Sequence, residues 1–135
     1  MKYLLILTVL FFLGCNDGSK TFVQDKSILD AKIECMSLSI FPPNKMVEDT
    51  LNSLYGFKKE CAYELAVSYK TSITCNSNQN ADKKAYGIPQ SYLRMEVKKE
   101  GRLQYTYYKD LQSNLTDKDV KNGFETIHVN LLKLD

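Results

Sequence analysis

The chain has no tryptophan and, among its 135 residues, a single histidine, His128. One imidazole excludes the His-rich ligand sets that hold zinc, so neither a metal nor a cofactor is expected. The four cysteines contain no C-x₂-C unit, which excludes zinc ribbons and thioredoxin-type redox motifs. No P-loop, G-x-G-x-x-G, G-x-S-x-G or H-E-x-x-H occurs, so the common nucleotide and hydrolase signatures are missing. Charge of one sign is missing too: 18 Lys and Arg stand against 16 Asp and Glu, with no long like-charge run. That balance provides no electrostatic footprint for nucleic acid. The carboxylates Glu48, Asp49, Glu60, Glu64 and Glu96 form no pattern beyond what any surface offers. A Cys–His pair built on His128 lacks a third orienting group. We therefore expect no catalytic residues and a chain that is not an enzyme.

The N-terminus carries the most specific signal present. Met1-Lys2 supplies a positive start, and Tyr3 to Leu13 is apolar throughout except for Thr8. The run is too short to span a bilayer, which takes about 20 residues, and has the length of a signal-peptide core. Leu13-Gly14-Cys15 closes it, with Phe12 where such segments usually carry Leu. The stretch resembles the lipobox of bacterial lipoproteins. The resemblance implies cleavage before Cys15, acylation of its sulfur, and an N-terminal lipid anchor in the membrane. Conventional signal-peptide cleavage at or near Gly14 is the alternative. Cleavage before Cys15 removes Lys2 as the only charged residue, leaving 17 basic and 16 acidic side chains. In lipoproteins of Gram-negative bacteria an aspartate directly after the acylated cysteine favours the inner membrane. Here that position is Asn16, with Asp17 one later, so the resemblance favours the outer membrane, facing the periplasm. Residues 15–26 read as the acylated cysteine and a polar tether, and 27–135 as one domain.

Cys35, Cys61 and Cys75 remain in the exported part, where disulfides form and persist. No Gly, Pro, Asn or Asp lies between Cys61 and Cys75 to reverse the chain. That span covers about 45 Å as a strand or about 21 Å as a helix, against the roughly 7 Å a disulfide allows. The bond therefore joins Cys35 to Cys61 or to Cys75.

Residues 61–75 alternate as a strand: Cys61, Tyr63, Leu65, Val67, Tyr69, Thr71, Ile73 and Cys75 on one face. Met36, Leu38 and Ile40 alternate likewise, although Ile28 to Met36 also fits helical spacing. Between them Val47, Leu51, Leu54 and Tyr55 keep helical period, with Asn44 placed to cap the start and Gly56 the end. Residues 76–90 form a long polar loop, the kind that often binds partners. Leu93, Met95, Val97 and then Leu103, Tyr105, Tyr107 predict a hairpin. A two-residue turn at Glu100-Gly101 would oppose Val97 to Gln104; a three-residue loop opposes Val97 to Leu103 and keeps one apolar face, so that register is expected. Thr116 begins a C-terminal helix with Val120, Phe124, Ile127 and Leu131 on one stripe; Gly123 inside it costs about 1 kcal/mol of propensity.

The order predicts an α+β domain: a mostly antiparallel sheet of about four strands, one helix between strands 1 and 2, and a C-terminal helix packed on the sheet. If strands 1 and 2 are parallel across their helix, Cys35 and Cys61 start at the same end of the sheet. That favours Cys35–Cys61 over Cys75 as the partner.

Nine tyrosines make interaction the better functional reading. Tyr105 and Tyr107 should face the core. Tyr92, Arg94 and Tyr108 should share the opposite face with Glu96, Gln104 and Thr106, and tyrosine with arginine is a composition that protein interfaces favour. The expectation is a membrane-anchored protein-binding domain, an accessory or assembly factor with an envelope or periplasmic protein partner. The alternative is an immunity or inhibitor lipoprotein that neutralises a toxin or hydrolase acting in the periplasm.

Overall fold

Alternation along the middle of the chain builds the centre of a sheet. The structure is a computed structural model and describes residues 18–71 and 91–132. Its strands are β1 (Ser19–Val23), β2 (Met36–Phe41), β3 (Tyr63–Lys70), β4 (Ser91–Lys99) and β5 (Arg102–Leu111), in the spatial order β1-β5-β4-β3-β2. Helix α1 (Lys45–Leu54) connects β2 to β3, which pair in parallel; every other neighbouring pair is antiparallel. Helix α2 (Asp117–Leu131) follows β5. The first helix joins the second and third strands rather than the first and second, because β1 precedes them. The α+β architecture and the C-terminal helix over the sheet agree with expectation.

The strand count does not. Five strands form a mixed sheet where about four, mostly antiparallel, were expected. The additional one is β1, in residues whose composition suggested a tether. Its register against β5 runs from Ser19 opposite Lys109 to Val23 opposite Tyr105. Its side chains are largely exposed, so local hydrophobic patterning could not announce it; the partner strand's backbone recruits it. Beyond β1, the Asp25 side chain accepts from the Ser27 backbone N–H and caps a 3₁₀ turn over Lys26–Leu29, which delivers Ile28 to the core.

The hairpin corrects a second expectation. Lys99 pairs with Arg102, so the loop is the two-residue turn Glu100-Gly101, with φ of 50° and 81° at the two positions. Val97 nonetheless lies opposite Tyr105, and Met95 opposite Tyr107, because a β-bulge follows Val97. The bulge absorbs Gln104 and restores the single apolar face that the three-residue loop was expected to provide. The turn is tied to the start of β3 through Glu100 N–H donating to the Ala62 carbonyl at 2.9 Å.

Both helices start where their caps dictate. The Asn44 side chain accepts from the Val47 N–H at 3.2 Å, and α1 turns Val47, Thr50 and Leu51 inward. It ends in an extended Tyr55 rather than at a glycine cap. At α2, Thr116 and Asp119 form a reciprocal capping box, and Asp119 also meets Lys109 of β5 at 3.4 Å. The two helices pack together, with Tyr55, Phe57 and Phe124 in edge and tilted contacts between them. Beneath lie Leu65, Val67, Leu93, Met95, Val97, Tyr105 and Tyr107, all fully or almost fully buried. Gly123 permits this approach: an ideal Cβ there would stand 2.8 Å from Tyr107 Cε1 and 3.1 Å from Met95 Sδ.

Candidate functional site

With α1 and α2 on one face of the sheet, the opposite face is covered by neither helix. Cross-strand register fixes what it presents. One row runs Lys20, Tyr108, Arg94, Ser68, Phe41 from β1 to β2. The next row on one side is Phe22, Thr106, Glu96, Ala66, Ser39; on the other side Asp110, Tyr92 and Lys70 align. Tyr92, Arg94 and Tyr108, three residues expected to share this face, are therefore neighbours.

Their geometry is that of a stacked cluster. The rings of Tyr92 and Tyr108 lie 5.8 Å apart and 21° from parallel. The Arg94 guanidinium carbon is 5.3 Å from the centre of the Tyr92 ring and 6.0 Å from that of Tyr108. Each such contact contributes about 0.5–1 kcal/mol at an exposed site, enough to hold an otherwise free arginine in place. The Tyr108 hydroxyl donates to Asp110 Oδ1 at 2.7 Å. Partial burial, then that hydrogen bond and the Asp110 charge, raise the Tyr108 phenol above its ordinary range, with Arg94 opposing. The phenol stays neutral and a donor at physiological pH.

Two residues expected on this face are withdrawn from solvent. Thr106 is buried and its hydroxyl accepts from Gln24 Nε2 at 3.0 Å, while the Gln104 carbonyl receives the backbone N–H groups of Gln24 and Asp25. The chain leaving β1 covers that corner. Conversely, sequence reading missed Lys20, Phe22, Phe41 and Lys70. Lys20 and Phe22 join the face only through β1, whereas Phe41, 77% exposed, was legible as the end of an alternating strand.

Cys35 and Cys61 are disulfide-bonded, with Cα atoms 5.8 Å apart, immediately before the parallel pair that opens with Met36 opposite Tyr63. Cys15, Cys75 and the loop 76–90 lie outside the described residues. His128 stacks on Phe124 at 6.2 Å in a shallow surface recess with Leu54, Lys121 and Glu125. A groove of about 580 Å³ flanks β2, lined among others by Leu38, Ile40, Pro43, Phe57, Glu48 and Lys58. Among the described residues no three His, Cys, Asp or Glu side chains converge as a metal site, and no helix is long and apolar enough to cross a membrane. Comparison with protein families, with curated proteins and with solved structures returns no match.

Proposed function

We propose that this chain is a lipid-anchored, non-enzymatic protein-binding domain of the bacterial envelope, with the open sheet face as its docking surface. The observation that carries the reading is the Tyr92–Arg94–Tyr108 cluster, stacked on a face that neither helix covers. Stacking fixes the three side chains before a partner arrives, so little rotamer entropy is lost on docking. Phe22 and Phe41, both exposed, extend apolar contact area to the two edges of the same face. An aromatic and arginine centre with apolar flanks has the anatomy of an interface hot spot.

The lipobox-like Leu13-Gly14-Cys15 supports the location. If Cys15 is acylated, only Asn16, Asp17 and Gly18 separate the lipid from β1, a reach of about 14 Å when extended. The domain would then sit against the membrane, and on the favoured reading that membrane is the outer one, facing the periplasm. Two chains of acyl carbon are needed for a durable anchor at about 0.8 kcal/mol per buried CH₂.

Two measurements test the reading. Labelled palmitate should enter the native protein and not Cys15→Ser. Full-length tagged protein recovered from its own envelope should bring one stoichiometric partner, lost in the doubly substituted Tyr92→Ala, Tyr108→Ala protein when that variant stays folded. A partner retained by that variant contradicts the docking surface. A partner that is a toxin or hydrolase assigns the protective role; a component of an envelope machine assigns the accessory one.

A further inference from the structure

Arg94 makes no ion pair among the described residues, although Glu96 shares its strand face and Asp110 lies one row away. The Asp110 carboxylate instead accepts the Tyr108 hydroxyl at 2.7 Å. The guanidinium carbon stands 5.3 Å and 6.0 Å from the centres of the Tyr92 and Tyr108 rings, and no acceptor among the described residues pairs with it as an ion. A guanidinium held in this way is prepared for a carboxylate, which it meets through two parallel hydrogen bonds.

The charges at the tyrosine stack are in positive excess. Lys20 is the cross-strand partner of Tyr108, and Lys70 that of Tyr92; neither makes an ion pair among the described residues. Among the described residues, Arg94, Lys20 and Lys70 thus stand at the tyrosine stack against two carboxylates, Asp110 and, one row along from Arg94, Glu96. Further along the face Glu64 is paired across strands with Lys98, so the signs balance there. Among the described residues the positive excess on this face lies at the tyrosine end.

We propose that this end of the face receives an acidic segment of the protein partner, whose carboxylate seats on Arg94 with Lys20 and Lys70 beside it. The proposal rests on the docking surface described above and names the chemistry of its occupant. Tyr92 and Tyr108 exclude water from the ion pair and give it strength that an exposed pair lacks.

The test uses the full-length anchored protein in its own cells, with photo-reactive benzoylphenylalanine at Ser68, beside Arg94, or at Ser39, further along the face. The Ser39 probe reports whether the face is docked at all. The Ser68 probe should yield an adduct whose partner peptide carries Asp, Glu or a terminal carboxylate. Arg94→Gln removes the charge and one of the two hydrogen bonds and should lower that adduct at least about tenfold. Arg94→Glu should abolish it, Arg94→Lys should restore part of it, and added salt should weaken it. Adducts at both positions that persist unchanged in Arg94→Glu leave the docking surface standing and overturn this proposal. A Ser68 adduct to a peptide without a carboxylate, to a glycan or to lipid overturns it as well. No adduct at either position overturns the docking surface and this proposal together.

Discussion

Gly123 shows how a residue's role can reverse between sequence and structure. As a helical position it costs about 1 kcal/mol relative to alanine. In the fold its missing side chain is what admits Tyr107 and Met95 beneath α2. Gly123→Ala gains helix propensity but drives a methyl against a buried ring, and overpacking of this kind costs about 1–3 kcal/mol. A net loss of up to about 2 kcal/mol is expected in chemical denaturation. Asp119 is the titratable counterpart. Its partial burial would raise its pKa, yet hydrogen bonds from the Thr116 N–H and hydroxyl and the Lys109 ammonium outweigh that and hold it below the usual carboxylate range. A lowered folded value means the stabilisation is complete above the unfolded value of about 3.9 and disappears as pH falls through the folded one. Asp119→Asn should therefore lose about 0.5–1 kcal/mol near neutral pH, and its deficit should shrink on acidification. Thermal melts of both proteins from pH 7 down to about 2.5 check the convergence. Thr116, the cap, was legible in sequence; Lys109 was not, because it reaches Asp119 only once β5 and α2 pack.

At the scale of elements, the disulfide holds together the pair with the weakest local reason to associate. Parallel β2 and β3 meet through a crossover, and the bond joins the residues just ahead of Met36 and Tyr63. Closing a loop with a sequence separation of 26 contributes about 3.5 kcal/mol by chain entropy. Cys35→Ser with Cys61→Ser should lose about that much, and hydrogen exchange should accelerate first at edge strand β2. Uniform acceleration across all five strands would contradict a local clamp. The pairing was legible because residues 61–75 lack a turn and because a parallel crossover places both cysteines at one end. Strand existence and the capped helices were legible for similar reasons of period and cap chemistry. The hairpin's register was not. A three-residue loop and a two-residue turn with a bulge both restore one apolar face, and alternation alone does not distinguish them. Strand β1 was hidden because its stability comes from pairing with β5 rather than from its own pattern.

On the scale of the whole molecule, a two-layer arrangement separates stability from recognition. Both helices and the buried tyrosines lie on one side of the sheet, so the other side is free to carry a binding cluster without disturbing the core. Alternation in β4 and β5 identified Tyr92, Arg94 and Tyr108 from sequence, whereas the surrounding cations required the strand order to be known. The central claim is that this open face docks a protein. Its most direct test is a photo-crosslinking scan of the full-length protein in its own cells, with the probe at Phe22, Ser39 and Ala66 on the open face and at Lys118 and Val129 on α2. The account predicts one discrete protein adduct, the same from all three open-face positions and missing from the two helix positions. Adducts from α2 with none from the open face would contradict it.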